Sequence, residues 1–163
     1  MAIGLTSQIT QRLAAVERWI RTHASWETSN STCQVYVKGP QTLPTGASTV
    51  ITFDGDEYDP DDIHSTTVNT DRIEPIVAGV YAMSGNGVFE ANDTGTRRLD
   101  ITVNGTSVAG QSVFMAAETL AASISVARQK ELAVGDIVRL EGYQTSGGDL
   151  DIYPCTLEVT RVS

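Results

Sequence analysis

The residues best suited to chemistry sit in one acidic run, where Asp54, Asp56, Glu57, Asp59, Asp61 and Asp62 crowd a single stretch of chain. Hard carboxylate oxygens at that density are the ligand type that calcium selects. The spacing is not that of an EF-hand: the twelfth position counted from Asp54 is Ser65 rather than Glu, and the glycine falls at Gly55. A solvated acidic loop is therefore the expectation, with Asp54, Asp56 and Asp59 as the calcium candidates. Zinc has less to draw on, because two histidines, His23 and His64, cannot supply a His cluster of zinc spacing. Nucleophilic and phosphate-binding signatures are missing as well. There is no Gly-x-Ser-x-Gly elbow and no Walker-type loop, and Gly85-Asn86-Gly87 runs into Val88-Phe89-Glu90 without the third glycine of a dinucleotide fingerprint. Paired carboxylates for polysaccharide cleavage would have to be Asp59 with Asp62. No catalytic residue is assigned, and the expectation is a protein that is not an enzyme and carries no cofactor, calcium aside.

The chain that must position these groups has 163 residues, 40% of them hydrophobic, which suffices for one domain core with an appendage. Its 11 Lys and Arg face 20 Asp and Glu, for a net charge of −9. That charge repels phosphate backbones and anionic lipid, so neither nucleic acid nor a membrane is an expected partner. The longest apolar stretch is about that of Val113–Ala117, far below the roughly 20 residues of a membrane helix. The start, Met1-Ala2-Ile3-Gly4-Leu5, lacks a basic segment followed by a long apolar run, so synthesis in the cytosol without a cleaved signal is expected. The sequons at Asn30, Asn92 and Asn104 then read as turn chemistry. Tyr36, Tyr58, Tyr81, Tyr143 and Tyr153 would stack on sugars if exposed, although a strand tyrosine more often fills a core or an assembly axis.

Two regions differ in period. From Thr6 to His23 the apolar residues Ile9, Leu13, Val16 and Ile20 recur at spacings of four, three and four, which lines them along one helix edge. Thr6 or Ser7 can cap its first turn. The stripe is narrow enough for a short coiled coil, which at this length is marginal alone and needs an oligomeric head or a docking surface. Residues 1–32 are read as this helical arm with a Ser/Thr/Asn-rich linker, and residues 33–163 as the head.

Beyond Cys33 the helical period gives way to alternation. Cys33–Lys38, Ser48–Phe53, Val80–Ser84, Arg97–Val103, Leu120–Val126, Ile137–Tyr143 and Thr156–Val162 all alternate, and Asn104-Gly105 marks a tight hairpin. Eight to ten strands at this spacing predict an all-β sandwich, most simply a jelly-roll β-sandwich, preceded by the short N-terminal helix. The Met115–Ala122 segment, which has helix propensity, is read as loop into strand.

The order of motifs resembles the head domain shared by complement component q and the tumour necrosis factor superfamily, and in particular a branch found in bacteriophages. The elements are Phe53-Asp54, Glu57-Tyr58-Asp59, His64, Asn69, Arg72, Ala78-Gly79-Val80-Tyr81, Gly95-Thr96-Arg97 and Asn104-Gly105-Thr106. Leu132–Asp136 and Tyr143–Gly148 continue the series. Pro75 keeps the proline of the family's turn, with one residue more before Gly79.

The resemblance implies a ten-stranded jelly roll that forms homotrimers, with His64 making a structural hydrogen bond inside a loop. Three copies of Ile9, Leu13, Val16 and Ile20 would close a stripe that one copy leaves exposed. The first and last strands of such a head are neighbours, which makes a Cys33–Cys155 bridge conceivable, while cytosolic synthesis favours two buried free thiols. The function implied is that of a structural protein on the virion of a tailed phage, a capsid decoration or head-fibre protein whose arm docks on the major capsid protein or another virion protein. The alternatives are a receptor-binding tail-fibre head or a carbohydrate-binding module directed at host surface glycan.

Overall fold

Strict alternation of apolar and polar residues can be satisfied only by sheets with one face turned to a core, and that is how the chain from Thr32 onward is built. The structure, a computed structural model, describes residue 13 and residues 31–115 and 120–163. The chain divides into two units, residues 1–30 and 31–163. Of the first unit only Leu13 is described, helical and exposed, so Ile9, Val16 and Ile20 lie outside the described residues, as does His23.

The second unit holds ten strands: β1 (Thr32–Tyr36), β2 (Gln41–Leu43), β3 (Thr49–Val50), β4 (Gly55–Tyr58), β5 (Gly79–Phe89), β6 (Thr96–Val103), β7 (Thr106–Phe114), β8 (Ala122–Leu132), β9 (Val138–Gln144) and β10 (Leu150–Arg161). One sheet runs β4-β1-β10-β5-β8, with β2 also pairing β10; the other runs β3-β9-β6-β7. We call them sheets A and B. All pairings are antiparallel. Val35, Tyr81, Met83, Leu157 and Val159 of sheet A and Leu99, Ile101, Val138 and Leu140 of sheet B form the core between them, each worth about 1.5–3 kcal/mol when fully buried.

Three strands differ from their sequence reading. β5 continues to Phe89 instead of stopping at Ser84, because Gly85 and Gly87 face inward where the sheets approach closely. A Cβ on Gly85 would collide with Leu140, and one on Gly87 would lie 2.8 Å from Ile152 Cδ1. These glycines serve packing rather than a turn. β8 continues past Val126 through Arg128-Gln129-Lys130, whose polar side chains hide the alternation. β10 begins at Leu150 and carries a register shift between Ile152 and Cys155, with Tyr153 and Pro154 both exposed and joined by a cis peptide bond.

The β6–β7 hairpin turns at Asn104-Gly105 as expected, with φ of 52° and 75°. The Asn104 side chain also clasps a neighbouring turn: its Nδ2 donates to Asp136 Oδ1 (2.8 Å) and its Oδ1 accepts from Ile137 N (2.9 Å). Asp136 Oδ2 accepts from Ala133 N at 2.9 Å, and these two bonds hold the Asp136 carboxyl below the usual carboxylate range.

Candidate functional site

The central strands of sheet A present an outer face with few charges. Register stacks three rows across it: Tyr36, Thr156, Asn86 and Ser125; then Gln34, Glu158, Ser84 and Ala127; then Thr32, Thr160, Ala82 and Gln129. Most of these side chains are small or carry a hydroxyl, and among the described residues of these rows Glu158 is the one charge. Two pairs of these hydroxyls and amides bond across strands. Asn86 Nδ2 donates to Ser125 Oγ (2.8 Å), and the Thr32 and Thr160 hydroxyls meet at 2.8 Å. Glu158 Oε1 accepts from Tyr58 Oη (3.0 Å) and Thr160 Oγ1 (3.4 Å). Burial first, and then the bond to Glu158, push the Tyr58 phenol up. A hollow of about 380 Å³ opens over Ala82, Ser84 and Ala127, with Glu158, Arg128 and Gln129 also lining it.

The outer face of sheet B is built on charge. Arg98 Nε donates to Asp100 Oδ2 (2.5 Å), its guanidinium lies 5.1 Å from the Tyr143 ring centre, and Asp100 Oδ1 accepts from Ser107 Oγ (3.0 Å). Beside them Arg139 and Arg72 both hold Asp71, at 2.7 and 2.9 Å. Burial alone would raise the Asp71 carboxyl, but the hydrogen bonds and charges of the two arginines outweigh it and hold it low.

The acidic run does not form a metal cage. Asp54 Oδ1 accepts from Lys38 N (2.7 Å), Asp56 Oδ1 meets His64 Nδ1 (2.7 Å), and Asp59 caps the next turn by accepting from Ile63 N (3.0 Å) and His64 N (2.8 Å). The calcium candidates Asp54, Asp56 and Asp59 are thus turned to separate tasks, and among the described residues no three acidic, His or Cys side chains gather at a metal-sized point. The His64 ring is buried, edge-on to Phe53, with Nε2 3.4 Å from Thr70 O. Asp59 and Asp62 are also no catalytic pair. Both Asp59 oxygens cap the turn, while Asp62 occupies a left-handed position at φ 51°.

Cys33 and Cys155 lie on β1 and β10, which do pair as neighbours, yet no bridge links them. Register places Val159 opposite Cys33, while Cys155 O accepts from Val37 N, four positions along the ladder. At about 3.3 Å per residue the two are too far apart for a disulfide. Both thiols are free and buried. Desolvation pushes Cys155 up to about 12 and Cys33 well above its ordinary value.

The tyrosines divide by role. Tyr81 is buried and donates to Val77 O (2.6 Å), Tyr36 packs over Gly55, Tyr58 serves Glu158, and Tyr143 backs Arg98. Tyr153 is exposed, beside a hollow of about 360 Å³ shared with Pro40, Glu90, Ala91 and Asp151.

Two buried polar residues escaped residue-type reasoning. Arg97 is fully buried, its guanidinium donating to the carbonyls of Thr94 (2.9 Å), Thr96 (3.2 Å) and Asn92 (3.3 Å), and desolvation lowers its affinity for the proton. Gln144 bonds Leu43 O (2.9 Å), Gly148 O (2.8 Å) and Ser146 N (2.6 Å). Both sat in the family-like motifs, whose residues prove to be ties between loops rather than reactive groups.

The fold of residues 31–163 is similar to the jelly roll of complement 1q and tumour necrosis factor proteins. No protein-family model matches the sequence, and no curated protein does. Among solved structures, the globular domain of zebrafish complement 1qA protein is 16% identical and superposes with a TM-score of 0.61 over 81% of this chain and 97% of that one. Murine APRIL is 12% identical, with a TM-score of 0.59 over 80% and 98%. Eiger TNF from S. frugiperda is 12% identical, with a TM-score of 0.53 over 81% and 92%. At these identities the likeness establishes the fold.

Proposed function

We propose that this chain is a non-enzymatic structural protein of the virion surface of a tailed bacteriophage, a capsid decoration or head-fibre protein. Its heads associate as a homotrimer through the outer face of sheet A, and residues 1–32 dock on the major capsid protein or another virion protein. The observation that carries the assembly is the face itself: three rows of mostly small or hydroxyl-bearing side chains, two pairs of them bonded across strands, with one central charge. Such a surface loses little on desolvation, whereas the ion-paired face of sheet B would lose much. The phage assignment draws on the ordered motifs from Phe53 to Gly148.

The test is the solution mass of the full chain by light scattering, followed by binding to purified capsids with and without residues 1–32. A mass three times that of the chain and arm-dependent capsid binding are expected. A monomer defeats the assembly, and a trimer indifferent to capsids defeats the decoration role. The exposed Tyr153 beside Asp151 favours a second reading, a head that binds host glycan. Retention on glycan arrays that is lost in Tyr153→Ala would favour it.

A further inference from the structure

We infer that the hollow beside Tyr153 binds a sugar carrying a free amino group, its pyranose ring stacked on Tyr153 and its ammonium held between Glu90 and Asp151. The inference rests on the glycan reading of Tyr153 above and names the class of sugar that the site selects.

The local register assembles the site. Ile152 of β10 pairs with Phe89 of β5, and both are buried in the core. Side chains alternate along a strand, so Val88 and Glu90 on one side and Asp151 and Tyr153 on the other turn to the outer face of sheet A. They stand beyond the row of Thr156, Asn86 and Ser125, outside the three rows proposed to meet in the trimer. Glu90 N donates to Asp151 O at 2.8 Å, which carries the ladder on to this pair. On the other side of β10, Thr42 pairs with Asp151 and donates its hydroxyl to Asp151 Oδ1 at 2.6 Å.

The hollow is about 360 Å³, at the small end of ligand sites. Pro40, Val88, Ala91 and Ala121 line it with apolar surface. Tyr153 is 46% exposed at its side, and its hydroxyl has no partner among the described residues. An aromatic ring with an apolar face and a polar tip suits the C–H face of a pyranose and its hydroxyls.

Glu90 and Asp151 decide which sugar enters. They sit directly opposite one another on neighbouring strands, where Cβ atoms are about 5 Å apart and like charges repel. Elsewhere on this head such carboxylates are answered, Asp71 by two arginines and Asp100 by Arg98. Here, among the described residues, no Lys, Arg or His lines the hollow, and the Glu90 carboxylate and Asp151 Oδ2 have no partner. An anionic sugar would add a third negative charge. A neutral one would desolvate two carboxylates without neutralising either. A primary ammonium carries one positive charge and three donors, so it can bond both carboxylates at once and remove their repulsion.

The experiment is isothermal titration calorimetry of the full chain at pH 6, where the carboxylates are ionised and the amino sugar is protonated. The probes are the β-1,4-linked glucosamine disaccharide and its di-N-acetylated counterpart, which differ in the charge on nitrogen and its acyl cap. The free amine should bind at least about 10-fold tighter, the effect of one charge-assisted hydrogen bond. Tyr153→Ala, Glu90→Gln and Asp151→Asn should each weaken it by about 10-fold; Asp151→Asn keeps an acceptor for Thr42. Glu131→Gln makes the same charge change opposite Val80, near the other end of β5, and should leave binding unchanged.

Equal loss in Glu131→Gln would mean attraction to the net charge of −9 alone and overturns the inference. So does a lysyl-lysine dipeptide that binds as tightly as the disaccharide, since the site would then take any amine. Tyr153-dependent binding of the acetylated sugar, or of another arrayed glycan, without preference for the free amine overturns the amino-sugar assignment and leaves the glycan reading standing. No retention of any glycan removes both.

Discussion

The two outer faces of the sandwich solve the same problem in opposite ways. On sheet B, long charged side chains pair with one another, Arg98 with Asp100 and Arg139 and Arg72 with Asp71, so the face is complete within one chain. On sheet A, short polar side chains bond across the strands, the centre is left hollow, and Glu158 accepts from the neutral hydroxyls of Tyr58 and Thr160. A surface whose charges are already neutralised resists desolvation, and one of small satisfied groups accepts it. That difference is the reason the proposed assembly uses sheet A rather than sheet B.

The strongest attack on that contrast is Ala82→Arg, which places a bulky cation in the middle of sheet A's outer face. The mass measured by light scattering should fall to that of a single chain while the β spectrum is kept, whereas Arg139→Ala on sheet B should leave the mass unchanged. An unchanged mass in Ala82→Arg would put the assembly surface elsewhere.

Smaller effects test whether sheet B is self-contained. A Cβ on Gly110 would collide with the Asp100 carboxylate and disturb its bonds to Arg98 and Ser107. Gly110→Ala should therefore cost about 1–3 kcal/mol in denaturant unfolding, without altering assembly. Asp71→Asn should cost about 0.2–1 kcal/mol at pH 7. Because the folded Asp71 carboxyl lies below its unfolded value, its contribution is present above the ordinary carboxylate range and is lost as pH falls through the folded value. Parent and Asp71→Asn unfolding midpoints should therefore differ at pH 7 and converge toward pH 3, and a constant gap would contradict the ion-pair role. Asp136, also held low, adds acid sensitivity of the same sign in both proteins.

The layer between the faces provides the smallest effect. Cys33 and Cys155 should give no reaction with a thiol reagent in the native protein at pH 8 and two equivalents once denatured, since burial holds both as neutral thiols. Full native labelling would mean that the sandwich opens far more readily than its packing indicates.

Much of the fold was legible because strand alternation is local. The β6–β7 hairpin could be read from Leu99, Ile101, Val103 and Asn104-Gly105 alone. What escaped were segments whose partners decide their state. Gly85 and Gly87 resemble a turn until Leu140 and Ile152 are set against them, and Arg128–Lys130 resemble a loop until β5 pairs with them. The acidic run shows the same dependence. Its composition offered calcium candidates, but Asp54 and Asp59 accept from backbone amides and Asp56 meets His64, and commitments of that kind depend on where the chain turns back.

The sequence by itself determined the all-β class, the hairpin and the family-like motifs, because periodicity and turn chemistry are properties of a few adjacent residues. Only the tertiary structure decided that Cys33 faces Val159 rather than Cys155, that Arg97 is buried among carbonyls, and that small side chains from four strands make one continuous face. Each depends on register between segments distant in the chain, and register is settled by the packing of the whole sandwich.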